Sequence, residues 1–373
     1  MPCEKNLTKA IIYLDNFRKN MEAVRKITGA HRKICVPVKA DAYGHGAVSV
    51  SHCALEAGAA SLGVSRLSEG AELRAAGITA PILLFSQVLP EELPGIISLQ
   101  ITPFVSDADF IKETEQAARQ AKKKQPLHLK IDTGMGRLGC RVENAAELAV
   151  QIAKSQWLFL EGTATHLSVA DSAQPDDIAY TKEQLCRFRG AIASIKEAGV
   201  EPGIVHAANS GALVFHEDSH FDMVRPGIFL YGYSPSAEPE HSAKPVMEFR
   251  STVSVIKKIK KGEAVSYGRT WTAPEDTFIG VISAGYADGI PRRLSNNHSV
   301  LIRGKTYPLV GRVCMDQCMV NLGSKCEIER WEKAVIFGPD FTDAAGLAEK
   351  LQTIPYEVLC GIGKRVVREH LVY

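Results

Sequence analysis

The sequence predicts an α/β protein, a (β/α)8 barrel followed by a smaller, mainly β domain, and three observations lead there. Over roughly the first 230 residues, short β-branched runs alternate with segments of helical periodicity, about eight βα units, the rhythm of a barrel closed by right-handed crossovers. Around residue 235 the texture changes. Tyr233-Ser234-Pro235-Ser236-Ala237-Glu238-Pro239-Glu240 is a proline- and serine-rich connection, and short alternating runs follow it. Finally, 373 residues with 45% hydrophobic and 23% charged content can bury more than one core. The expected boundaries are 1–238 for the barrel and 239–373 for the β domain. A doubly wound open sheet is the alternative, but no G-x-G-x-x-G follows the first strands and no G-x-x-x-x-G-K-[ST] occurs.

In chain order, residues 10–14 read as a strand and Asp15 as a cap, with Phe17, Met21, Val24 and Ile27 on one helical face. Strands are expected at 34–38, 61–64, 82–85, 101–105, 127–132, 158–166, 204–207 and 223–231. Helices between them are expected at 69–76, 107–123, 145–154 and 182–198. Beyond the connection, alternating runs occupy 247–255, 278–282, 299–302, 307–310, 319–322 and 334–337. Turn signals such as Lys260-Lys261-Gly262-Glu263 and Arg303-Gly304-Lys305 separate them, and a late helix at 344–351 precedes a last β run.

Composition excludes several function classes. A net charge of +2 leaves no field suited to nucleic acid or an anionic membrane, and Lys122-Lys123-Lys124 reads as a solvated helix end. Nine cysteines scattered from Cys3 to Cys360 fit reduced thiols, and Cys314, Cys318 and Cys326 lack zinc-ligand spacing, so no metal is expected. The amino terminus has no signal-peptide pattern and no run reaches membrane-spanning length, so the expectation is a cytoplasmic protein.

Ionisable residues recur where the barrel strands end, which is where such folds place their chemistry. Lys39 follows the apolar run Val36-Pro37-Val38. Desolvation there disfavours the ammonium form and frees an amine for Schiff-base chemistry, whereas a lysine snorkelling to water is the plain alternative. In 127–132, strict alternation puts His128, Lys130 and Asp132 on one face, leading into glycines that allow Arg137 to be aimed inward. His166, Ser210 and the segment Arg225-Pro226-Gly227-Ile228 close later strands. Ser210 and glycine-flanked amides can cradle a phosphate while Lys39 holds a carbonyl.

VKADAYGHG, LKIDTGMGRLG, ATHLS, AANSGA, VRPGI, VSYGRTW, AGYADG, CMDQ and IPYE occur in order, and with this set the chain resembles the bacterial alanine racemases from Ala10 to its end. The resemblance implies a pyridoxal phosphate enzyme that works as a homodimer, interconverts L- and D-alanine and supplies D-alanine for peptidoglycan. It implies that Lys39 bonds to the cofactor and that Tyr43, Ser210, Gly227, Ile228 and Tyr356 hold its phosphate. Arg137 would meet the phenolic oxygen and the substrate, and Arg225 the pyridine nitrogen. Lys130 matches a position carbamylated in several members, with a plain lysine paired to Asp132 as the alternative. Met315, through its amide, and Asp316 match the segment that meets the substrate carboxylate.

Racemisation needs a base on each face of a planar carbanion. Lys39 serves one, acting on the D-isomer, and the resemblance gives the other to Tyr267, acting on the L-isomer and donated by a second chain. A phenol is a weak base at neutral pH, so help from His166 and Arg225 is expected. Read without the family, Tyr267 is a strand tyrosine whose ring packs. Three other functions stand beside this one: a broader serine or lysine racemase, a decarboxylase of the same architecture using Cys314, and a non-catalytic pyridoxal phosphate carrier.

Overall fold

The computed structural model describes residues 7–235 and 242–372. Cys3, residues 236–240 of the connection and the expected 238/239 boundary lie outside the described residues. The chain divides into two compact units. One comprises Phe17–Ala42 and Ala47–Ala243; the other comprises the chain up to Asn16, Tyr43–Gly46 and Lys244 onward.

Strand β1 (Lys9–Tyr13) comes first, and eight parallel strands then close the first unit into a barrel: β2 (Lys33–Pro37), β3 (Ser61–Val64), β4 (Ile82–Leu84), β5 (Ile101–Val105), β6 (Gln125–Lys130), β7 (Leu158–Ala164), β8 (Ile204–His206) and β9 (Met223–Val224). Closure is made by β2 and β9, with Lys33 opposite Met223 and Ile34 opposite Val224. Cys35, Leu83, Phe104, Ala164 and Met223 pack as a core cluster, with one residue each from β2, β4, β5, β7 and β9. Side-chain acceptors start two of the helices between strands: Asp107 caps Ala108–Ala121 by accepting from the Phe110 amide at 2.8 Å, and Asn209 caps Ser210–Phe215 by accepting from the Ala212 amide at 3.0 Å.

The second unit is built on an eight-stranded sheet. It contains β1 with β10 (Met247–Ile259), β13 (Thr277–Ile282), β14 (Ser299–Ile302), β15 (Lys305–Pro308), β16 (Cys318–Gly323), β17 (Lys333–Phe337) and β18 (Val367–Leu371). The ribbon of β11 (Ala264–Val265) and β12 (Trp271–Thr272) stands apart from it. Ile259, Val265, Ala273, Ile279, Val310 and Met319 form a core cluster there. No helix among the described residues is long and apolar enough to cross a membrane.

Three expectations change. β1 pairs antiparallel with β10 and parallel with β18, so the amino-terminal strand joins the β unit and not the barrel. Its alternation reads the same in either sheet, and only long-range pairing decides. The strand expected over 223–231 stops at Val224, because Gly227–Gly232 turns back on itself through bonds from the Leu230, Tyr231 and Gly232 amides to Gly227, Ile228 and Phe229 carbonyls. Asp132 does not share the interior with His128 and Lys130. Its Oδ1 accepts the amides of Gly134, Met135 and Gly136 and so shapes the loop after β6.

Candidate active site

Lys39 begins a turn of unusual hand. Ala40, Asp41, Ala42 and Tyr43 all have φ between 51° and 55°, and Gly44 has φ 82°, so Ala40–Gly44 winds left-handed. Each non-glycine residue held this way costs about 1–2 kcal/mol. Side chains offset it: Glu69 Oε1 accepts the Ala40 amide at 2.7 Å and Asp41 Oδ1 accepts the Ala47 amide at 2.8 Å. Gly44 is obligatory, since a Cβ there would lie 2.3 Å from the Leu359 carbonyl oxygen. Strain over-determined in this way marks a functional backbone, and it presents Lys39 half-buried just past the end of β2.

Inside the barrel, Lys130 and Arg225 are buried cations at 6% and 7% exposure. Desolvation, then the Arg225 charge, pushes the Lys130 amine down to about 7, so much of it is neutral at physiological pH. Among the described residues its one hydrogen bond runs to the Ile131 carbonyl at 3.2 Å, with no ion pair to Asp132. Arg225 stays charged, pushed down by burial only to about 10. It donates from Nη2 to the carbonyls of Thr165 (2.8 Å) and Ala207 (3.0 Å) and from Nη1 to His206 Nδ1 (2.6 Å). His166 Nδ1 lies 3.4 Å from the same Nη2. Burial pushes His166 well below the usual imidazole range, and the charges of Arg225, Lys130, Arg137 and Lys39 push it further. One neutral imidazole therefore sits in the field of Arg225, Arg137, Lys39 and the protonated fraction of Lys130. Arg137 acts on it from an exposed position on its loop, and not by pointing into the interior as expected.

The residues of the barrel unit fit a phosphorylated cofactor. Ser210 Oγ accepts the amides of Gly227 (2.9 Å) and Phe229 (3.2 Å), which leaves its own proton to donate. Among the described residues the Ile228 amide meets no acceptor, and Arg225 makes no bond through Nε–H or its second Nη1–H. Hydroxyl and amide donors suit phosphate oxygens, and a guanidinium with N–H groups to spare suits an unprotonated ring nitrogen.

In the β unit Tyr267 is 72% exposed, on a short helical turn, not on a strand with its ring packed. Ser266, Gly268 and Arg269 take φ of 65°, 70° and 50° around it. Ser266 Oγ donates to the Arg312 carbonyl at 2.7 Å, which ties this turn to the segment carrying Met315 and Asp316. That segment is zipped to the next loop by the Tyr286 amide on the Cys314 carbonyl (2.9 Å) and the Ala287 amide on the Met315 carbonyl (3.0 Å). Arg365 clasps it further, with Nε and Nη2 on the two oxygens of Asp288 and Nη2 also on Asp316 Oδ1 at 2.8 Å. The rings of Tyr43 and Tyr356 lie 5.7 Å apart, both in this unit.

Lys39, Lys130, His166, Ser210, Arg225, Gly227 and Ile228 thus belong to the barrel unit, and Tyr43, Tyr267, Met315, Asp316 and Tyr356 to the β unit. His206, Arg365 and Asp288 escaped the sequence reading. A histidine closing the short strand 204–206 was the available signal for the first. The other two are joined across 77 residues of chain and left none.

The model for the alanine racemase N-terminal domain matches residues 12–235, and that for the alanine racemase C-terminal domain matches residues 246–370. The alanine racemase of Treponema denticola is 46% identical over 97% of both chains. Among solved structures, the alanine racemase of Clostridium difficile 630 superposes with a TM-score of 0.92 at 36% identity, covering 96% of this chain and 94% of that one. The alanine racemase of Bacillus anthracis, solved with bound L-Ala-P, gives 0.90 at 33% identity over 97% and 94%. Matches of this extent, on a chain with this barrel and these strand-end residues, show that it belongs to the alanine racemase family of enzymes.

Proposed function

We propose that the chain interconverts L- and D-alanine with pyridoxal phosphate by a two-base mechanism, as a cytoplasmic homodimer whose D-alanine serves peptidoglycan synthesis. The observation that carries the two-base reading is Tyr267, an amphipathic side chain left 72% exposed on a turn that the chain braces and strains. A structural tyrosine would pack its ring; this one is held out as if for a site on another chain.

Bound pyridoxal phosphate supplies an aldehyde to hold the substrate amine and a ring to take up the electrons left at Cα. Ser210 and the amides of Gly227 and Ile228, with Tyr43 and Tyr356, would hold the phosphate. Arg225 would donate to the ring nitrogen and, staying charged, would keep a proton off it. Arg137 meets the phenolic oxygen and the substrate, with Lys130 behind it. The neutral fraction of the Lys130 amine is the form that takes up carbon dioxide, and the resulting carbamate would turn a buried cation into an anion able to brace Arg137. The Met315 amide and Asp316 receive the substrate carboxylate.

Lys39 moves the proton at Cα on one face and Tyr267 of the partner subunit moves it on the other. Tyr267 is assisted by His166, which the surrounding cations hold neutral and able to accept. Incubating purified protein with L-alanine, L-serine and L-lysine, with and without added pyridoxal phosphate, tests the reading. D-alanine should form fastest and depend on cofactor. Faster turnover of serine or lysine, or no turnover of alanine, would overturn it.

A further inference from the structure

Four side chains lie in a row inside the barrel, and the chemistry proposed above uses only the first. Arg225 Nη1 is 2.6 Å from His206 Nδ1, His206 Nε2 is 2.8 Å from His128 Nδ1, and His128 Nε2 is 3.3 Å from Glu161 Oε2. An arginine donates and never accepts, so His206 Nδ1 carries no proton. Neutral His206 therefore donates from Nε2 to His128 Nδ1, which is bare in its turn. His128 then carries its proton on Nε2 and donates it to the Glu161 carboxylate. The direction is set along the whole row, and neither ring can take a second proton without losing one of these bonds.

The backbone is built around this row. Pairing of β6 with β7 shifts register between Leu127, opposite Leu160, and His128, opposite Gly162, which leaves Glu161 as the extra residue of a bulge. Bulges re-aim the side chains they carry. Gly162 is needed beside it, since a Cβ there would lie 2.5 Å from His128 Cε1. Gly203, at φ 64°, would set a Cβ 2.2 Å from the Glu161 carbonyl oxygen. Phe104 stacks on the His128 ring at 5.6 Å and 4°, and Thr102 Oγ1 donates to the same Glu161 oxygen at 3.3 Å. Burial pushes both imidazoles below their usual range, and the bond from His128 holds the Glu161 carboxyl down as the anion.

We infer that Glu161 and His128 are positioning residues for Arg225: the carboxylate anchors a one-way hydrogen-bond chain that keeps His206 an acceptor and so holds the guanidinium in place. The inference deepens the role proposed for Arg225 and rests on it. Without the anchor the row is held from one end only, by Arg225, and the reversed tautomers, in which His206 turns an N–H towards a guanidinium N–H, become easier to populate.

Nitrogen NMR of the purified holoenzyme labelled on histidine, assigned through His128→Gln and His206→Gln, reads the tautomers directly. Both rings should be neutral with the proton on Nε2. Glu161→Leu should populate the reversed tautomers and lower kcat about tenfold with little change in KM, the scale of one lost charged hydrogen bond. Glu161→Gln, which keeps an acceptor oxygen, should restore the native tautomers and most of kcat. An Nδ1–H or doubly protonated ring in the native protein would overturn the chain, as would Glu161→Leu with native tautomers and native kcat. If the native protein racemises no alanine, the fault lies with the functional reading, and the tautomers still decide the chain.

Discussion

In the barrel unit Lys130, Arg225 and Ser210 are 6%, 7% and 4% exposed, whereas in the β unit Tyr267 and Met315 are 72% and 53% exposed. These three barrel residues are desolvated by their own fold, and the effect shows in Lys130, pushed down to about 7, and in His166 beside them, held neutral. Tyr267 and Met315 of the β unit are braced by backbone bonds, yet left in water. Side chains braced in this way and left exposed are what the proposed sharing of the site between two subunits would use.

Breaking the barrel side should have the largest effect. Lys39→Ala is expected to lower racemisation at least about 10³-fold, and borohydride should no longer fix pyridoxal phosphate to the chain; cofactor still fixed in this variant would remove Lys39 from its role. Tyr267→Phe breaks the other side. Proton removal from L-alanine should fall about 10²- to 10⁴-fold, with a far smaller loss from D-alanine, as read by solvent-isotope exchange in each direction. Equal losses would sink the division of labour. Refolding the two variants together sharpens the comparison: if Tyr267 crosses between chains, mixed dimers hold one intact site and the mixture recovers up to about a quarter of native activity, whereas sites confined to one chain recover none.

Smaller effects follow from the buried amines and imidazoles. Lys130→Ala should cost about 10- to 100-fold through misplacement of Arg137, and protein equilibrated with ¹³C-bicarbonate should show a carbamate carbon signal that this variant lacks. No such signal in the native protein would leave Lys130 a plain lysine. The smallest effect lies in the β unit, where burial pushes His298 down to about 4, below its unfolded value of about 6.5. The neutral ring contributes stability above pH 6.5 that is lost as pH falls towards 4. His298→Gln should therefore flatten the decline of melting temperature between pH 7 and 4.5 by roughly a few degrees; an unchanged slope would show that barrel imidazoles account for it.

What could be read in advance was what local pattern decides. The helices Ala145–Lys154 and Ala344–Leu351 and the strand Ser299–Ile302 fall where periodicity puts them, and the strand-end residues of the barrel were legible because that fold concentrates polar groups there. Pairing across the chain was not legible. Nothing local in 9–13 tells which sheet will take it. The run Ile228-Phe229-Leu230-Tyr231 is apolar because it is a buried turn, and it mimics a strand. Ala40-Asp41-Ala42-Tyr43 has no residue that announces positive φ, since Glu69 and the packing at Gly44 impose it. Glu161 left a faint trace, an acid beside a glycine within an apolar strand, which is how a bulge reads.

The left-handed turn after β2 also bears on which replacements the chain can accept. The usual rule, that alanine in place of glycine stabilises by restricting the unfolded chain, runs backwards where φ is positive. At Ala40, whose φ is 53°, glycine would relieve backbone strain, and a β-branched residue would add to it. A D-amino acid would sit there without strain, because the turn is the mirror image of one that L-residues favour. A library built on helix propensity would choose the wrong residues for 40–42, and one built on the hand of the backbone would keep them small.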